Sequence, residues 1–251
     1  MSAATPIRIA VITDAHANLP ALRTALAAID DIGVDALYHT GDLVAIGPHP
    51  AECAELLLRR PHTHFVMGNH DDWFAFGLPT PRPEWMTEGE WEHQRWTHAR
   101  LPATLRQTVS LWPDSVQLDL GGTLIRFVHY ARKPGGAFHG APTPLTSGAR
   151  ADELFGPSKA RVLFYGHNHD RSDLVGLTTR YVNPGSLGCS REAVARFAIV
   201  ESRPGARYAL TLHAEPYDPA ALLSDFDTRY VPERDFIRRT FMPQRFEVRS
   251  A

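Results

Sequence analysis

Five short polar clusters punctuate the 251-residue sequence, and each carries side chains able to hold a metal ion. They are "DAH" with Asp14 and His16, "GD" with Asp42, "GNHD" with Asn69 and His70, "VH" with His129, and "GHNH" with His167 and His169. The types are two Asp, one Asn and several His, with no Cys among them. Such an oxygen–nitrogen set suits a divalent ion harder than a thiolate site would hold: manganese first, with iron, zinc or nickel as alternatives. The donors Asp14, His16, Asp42, Asn69, His129, His167 and His169 are too many for one ion. They suit two ions about 3.5–4 Å apart, bridged by Asp42 and a water. Alone, each cluster also reads as a turn or a helix cap. Their common place just after predicted strands is what argues for a shared site.

The elements must therefore bring strand ends together. "PIRIAVIT" (6–13) is a continuous β-branched run, expected as a strand buried on both faces. "LPALRTALAAIDDI" (19–32) follows at helical period behind Asn18, a cap or a substrate contact. "ALYHT", the helical "PAECAELLLRR" and the strand "HTHFVM" repeat the unit, which signals an α/β layer with parallel strands. Residues 73–112, rich in Trp, Pro, Glu and Arg, are expected as a helical insertion, with a helix over "EGEWEHQRWTHARL". "SVQLDL" and "TLIRFVH" form a hairpin through Gly121-Gly122, and a helix is expected near 143–155. "ARVLFYG", "DLVGL", "RYVNPG", "AVARFAIVE" and "RYALTLHAE" complete the strands, and residues 217–242 form a helical tail broken at Pro232. A two-sheet sandwich with helices outside, one domain over 1–251, fits this order. In open α/β sheets, ligands gather beyond the carboxyl ends of strands.

Composition narrows the partners. With 26 Lys+Arg against 28 Asp+Glu, no basic excess marks a nucleic-acid partner. No run approaches the roughly 20 apolar residues that span a bilayer, and "MSAATPIRIA" lacks the apolar core of a signal peptide. Two cysteines, Cys53 and Cys189, make no disulfide framework, so a reducing cytoplasm is the expected location.

The five clusters in this order resemble the calcineurin-like metallophosphoesterase superfamily, whose pattern is D-x-H, G-D, G-N-H-[DE], a strand-end His, then G-H-x-H. "DAHANLPAL", "GDLVAIGPHP", "NPGSLG" and "QRWTHARL" are further similar to small bacterial predicted phosphodiesterases. The resemblance implies a four-layer αββα sandwich of two mixed sheets. It implies that Asp14, His16 and His169 hold one ion, that Asn69, His129 and His167 hold a second, and that Asp42 bridges them with its two oxygens aimed at different ions. It also implies in-line attack of a metal-bridging hydroxide on a phosphodiester, a cyclic nucleotide or similar small molecule. His70 would protonate the leaving oxygen and Asp71 would orient its imidazole. Arg132, Lys133 and His139, on the loop leaving His129, are candidates for substrate contact, beside Asn18. Two positions depart from the pattern: Tyr130 follows the strand-end His where Gly is common, and "CSR" (189–191) follows "NPGSLG" where Gln-Pro-Arg is frequent. The alternatives are a phosphomonoesterase or protein phosphatase, and an inactive binding scaffold. Phosphatases of this superfamily read G-D-x-V-D-R-G, and the Arg is absent after Asp42; all seven ligands and His70 are present, which disfavours the scaffold.

Overall fold

The structure, a computed structural model, describes residues 6–133, 145–203, 205 and 207–244, so His139 lies outside the described residues. One five-stranded sheet contains β1 (Arg8–Ile12), β2 (Ala36–His39), β3 (Thr63–Phe65), β9 (Val194–Arg203) and β10 (Arg207–Pro216), in the order β10-β9-β1-β2-β3. The other contains β4 (Ser115–Leu120), β5 (Thr123–Val128), β6 (Val162–Phe164), β7 (Ser172–Val175) and β8 (Arg180–Asn183), in the order β4-β5-β6-β8-β7. Both are mixed. β1, β2 and β3 run parallel while β9 and β10 are antiparallel to their neighbours; β5, β6 and β8 run parallel while β4 and β7 are antiparallel.

The helices are α1 (Leu19–Ile32), α2 (Pro50–Leu58), α3 (Asn69–Phe76), α4 (Glu88–Arg100), α5 (Ala103–Val109), α6 (Gly148–Phe155), α7 (Ala220–Thr228) and α8 (Arg234–Phe241). Strand β1 shows why the sequence stacks four layers. Its period of two sends Ile9 and Val11 into a core shared with Phe127, Val162, Phe164 and Val182 of the opposite sheet. Ala10 and Ile12 face the other way, against Leu22, Leu26 and Ile29 of α1. Helix α6 covers the outer face of the second sheet, with Ala151 packed near Leu163, Tyr165 and Tyr181. The architecture is the expected αββα sandwich. None of the described helices is long and apolar enough to cross a membrane.

Local signals act where they were read. The Asn18 side chain accepts from Ala21 N (3.1 Å) at the start of α1. Gly121 and Gly122 both hold positive φ (61° and 87°), the conformation a tight hairpin needs. Three boundaries differ from expectation. Helix α3 begins on Asn69 itself, so the "GNHD" cluster is a helix start and not a free turn. The insertion holds α4 and also a short α5, and α6 starts at Gly148 instead of near 143.

Candidate metal centre

The loop "GDLVAIGP" (41–48) is buried from end to end. It extends the β1–β2 pairing beyond the strands: Asp14 N donates to Gly41 O, His16 N to Asp42 O and Ala17 N to Leu43 O, each at 3.0 Å. Leu43 and Val44 pack into the core beneath α1 and α2, while Ile46 joins the cluster of Leu222, Phe226, Val231 and Ile237 from the C-terminal helices. The Ile46 N–H donates to His93 Nε2 (2.8 Å), so the insertion also pins the loop. The four apolar residues are anchors that hold Asp42 in place. Gly68 lies so close that a Cβ there would sit 2.2 Å from the Asp42 amide nitrogen and from its Oδ1.

Around Asp42 the strand ends deliver two donor groups. In the first, His16 Nε2 lies 3.0 Å from His169 Nε2, and Asp14 Oδ1 lies 3.7 and 3.8 Å from those two nitrogens. In the second, Asn69 Oδ1 lies 2.9 Å from His167 Nδ1 and 3.2 Å from His129 Nε2. Asp42 Oδ2 stands between them, 3.8 Å from His16 Nε2 and 3.2 Å from His129 Nε2. Its Oδ1 accepts the His70 N–H (2.9 Å), so a single oxygen faces both groups, unlike the two-oxygen bridge expected. Each group draws on both sheets. Asp14, His16, Asp42 and Asn69 follow β1, β2 and β3; His129, His167 and His169 follow β5 and β6.

The backbone is shaped for this. Asp14, His16, Asp42, His167 and His169 all have φ between 43° and 72°, the left-handed region that non-glycine residues seldom adopt. Such strain persists only where surroundings over-determine it, and it collects at functional sites. The surroundings are visible. Asp14 Oδ2 accepts from Thr13 Oγ1 (2.7 Å), and the His167 N–H is shared between both carboxylate oxygens (3.1 Å to each). His129 Nδ1–H donates to Thr40 O (2.8 Å), which turns Nε2 toward Asp42 and Asn69, where a cation would displace its proton. Tyr130, in place of the common Gly, is buried with its ring 4.6 Å from that of His167.

His70 is half-buried at the margin. One of its ring nitrogens lies within 4.8 Å of donor atoms of His16 and Asp42. Its Nδ1 lies 2.8 Å from the side-chain amide of Gln94. Asp71 is placed differently from expectation. Its carboxylate accepts from the backbone N–H groups of Asp42 (2.8 Å), Leu43 (3.1 Å) and Gly68 (3.1 Å), so it fastens the Asp42 loop to the start of α3 and does not hold the imidazole. Asn18 is buried with its amide spent on Gly188 O and Tyr217 Oη, both 2.9 Å away, which makes it a cap and brace. Arg132 pairs with Asp114 at 2.5 Å, and Lys133 is exposed. Two residues escaped the sequence reading. Gln94 lies 24 positions from His70 and meets it only through the fold. Cys189 places Sγ within 4.8 Å of nitrogens on His16 and His169.

The buried charges fit a cation. Burial raises the Asp14 carboxyl to about 7, and burial followed by the charge of Asp42 raises Asp71 to about 7. Burial would also raise Asp42, but the charge on His129 outweighs it and holds Asp42 well below the usual range. Burial pushes His129 down, yet Asp42 overcomes that and lifts it to about 9. His16, His167 and His169 are pushed down, chiefly by burial, so they stay neutral and able to ligate. Oxygen–nitrogen donor groups of this kind suit divalent metal ions.

The profile of the calcineurin-like phosphoesterase superfamily domain matches residues 7–204. The chain belongs to the calcineurin-like phosphoesterase superfamily. Phosphoesterases are hydrolases, and this superfamily implies divalent metal ions, for which the described residues offer candidate donor groups. Among solved structures, this calcineurin-like phosphoesterase is similar to a hypothetical protein, PH1004, from Pyrococcus horikoshii OT3. The TM-score is 0.78 at 20% identity, covering 96% of this chain and 100% of that one, a likeness of fold. It is also similar to a metallophosphoesterase from Sphaerobacter thermophilus, with a TM-score of 0.66 at 25% identity over 93% and 97% of the two chains. An uncharacterised protein of Methanocaldococcus jannaschii, MJ0912, shares 44% identity over 63 residues; the match spans 25% of this chain and 26% of that protein.

Proposed function

We propose that this phosphoesterase hydrolyses small phosphodiesters, such as cyclic nucleotides, with two divalent ions at the Asp42 centre. The observation that carries this reading is Asp42 Oδ2, one oxygen within reach of donor groups on both sides. Asp14, His16 and His169 would hold one ion and Asn69, His129 and His167 the other, with manganese the ion expected from the oxygen–nitrogen motif donors. When bound, the two ions supply the charge that binds phosphoryl oxygens and generates hydroxide from water near neutral pH. His70, as an imidazolium, would deliver a proton from Nε2 to the leaving oxygen and be left neutral, an effect typically worth about 10²–10⁴ in rate. Gln94 fixes the ring for that transfer. The absence of an Arg after Asp42 favours a diester, which carries one negative charge at phosphorus where a monoester carries nearly two. The expected setting is the cytoplasm, with a small diester and not a nucleic acid as partner.

The test combines metal content with substrate choice. Chelation should abolish activity and manganese should restore it, with two ions per chain at saturation. At most one bound ion would overturn the two-ion centre. The wild type should cleave bis(p-nitrophenyl) phosphate faster than p-nitrophenyl phosphate; the reverse order would overturn the diester preference.

A further inference from the structure

The segment leading to Cys189 is tied to the backbone that carries Asp14. Leu187 N donates to Thr13 O (3.0 Å), Gly188 N and Ser186 Oγ both donate to Asp14 O (2.9 Å), and Cys189 N donates to Ser186 Oγ (2.8 Å). These bonds leave the cysteine little freedom, and it is only 5% exposed. Its Sγ and one nitrogen each of His16 and His169 all lie within 4.8 Å of one another. A cation with ordinary bonds, about 2.3 Å to sulfur and 2.0–2.1 Å to nitrogen, reaches donors at such separations with little movement of the side chains.

A second observation points to a cation at the same place. His16 is fully buried, its Nδ1 has no hydrogen-bond partner, and its Nε2 faces His169 Nε2 at 3.0 Å. Two imidazole nitrogens so disposed hold either one proton or one cation between them. Cys53 provides the contrast: it lies on the buried face of α2, with Ala54 and Leu57, and belongs to no donor group among the described residues.

We infer that Cys189 is a further ligand of the ion held by Asp14, His16 and His169. The inference rests on the two-ion reading above. On loading, the sulfur–hydrogen bond breaks, the proton passes to solvent and the sulfur lone pair forms the metal–sulfur bond; no electron changes hands. A thiolate selects softer metals, so this side of the centre prefers zinc, iron or cobalt, while the side of Asn69, His129 and His167 stays an oxygen–nitrogen site.

Cobalt(II) reads the ligand directly. The full chain, stripped by chelator and kept reduced, is titrated with cobalt chloride and followed by absorption. The wild type should show visible d–d bands together with a near-ultraviolet sulfur-to-cobalt charge-transfer band. Cys53→Ser should keep both. As the chain has two cysteines, that pair of spectra assigns the sulfur even if variants at Cys189 fold poorly. Cys189→Ser should keep the visible bands and lose the charge-transfer band. Visible bands in the wild type without charge transfer would overturn the ligand and leave the two-ion reading standing. A charge-transfer band that persists in Cys189→Ser or vanishes in Cys53→Ser would also overturn it. No cobalt spectrum at all would overturn the two-ion reading and the ligand together.

Discussion

Asp71 and His70 are neighbours in sequence with opposite tasks. Asp71 collects three backbone N–H groups of the Asp42 turn and the α3 start, all in the interior. A buried donor left without its partner costs about 1–3 kcal/mol. Asp71→Ala should therefore lower stability by at least that amount and weaken metal retention, read by denaturant unfolding and elemental analysis. His70→Ala should keep its metal and slow turnover, most for substrates with poor leaving groups, because a good leaving group needs little protonation. Equal metal loss in both variants would remove the distinction. Gly68 belongs to the same knot: a methyl there would strike the Asp42 amide and carboxylate, so Gly68→Ala should behave like Asp71→Ala and unlike His70→Ala.

Helix α4 looks from sequence like a peripheral insertion, yet two of its side chains hold the centre. His93 anchors Ile46 and Gln94 holds His70. Gln94→Leu should reduce kcat and leave KM nearly unchanged, since the contact positions a group used in the transition state. The loss should not exceed the about 10²–10⁴-fold available from the acid itself. An increase in KM alone, in steady-state assays of the variant, would deny Gln94 a positioning task. This contact marks the limit of what the chain discloses before folding. The strands, α1, α2 and the five donor clusters were legible because periodicity and short spacing are local signals. Asp42's neighbours were legible only as a pattern in order. Gln94 and Cys189 were not, because helix packing and a loop tied to Asp14 bring them to the centre from distant positions. Asp71 was misplaced because adjacency to a histidine suggested a partner, while the helix start it caps turned its carboxylate toward backbone amides.

For the whole molecule, buried neutral histidines set the response to acid. Burial pushes both His39 and His93 down to about 3. Below pH 6.5 the unfolded chain binds protons on these rings and the native state does not, so stability rises with pH between about 3 and 6.5 and is flat above. Each ring contributes up to about 1.4 kcal/mol per pH unit in that window. Asp14 and Asp71, held near 7, act in the opposite sense in the metal-free protein: their contribution is present at low pH and lost as pH rises through 7. Denaturant unfolding of the metal-loaded protein should show a steep loss from pH 6.5 to 5, and His93→Gln should flatten it. The division of each donor group between the two sheets has another consequence. His16 and His169 are 153 positions apart and follow strands of opposite sheets, as do Asn69 and His129. An ion in either place rivets the layers along one rim of their seam, much as a disulfide would. Chelation should then loosen that rim first, so amide hydrogen exchange would quicken at Asp14, His16 and Gly166 while the long β9–β10 ribbon keeps its protection.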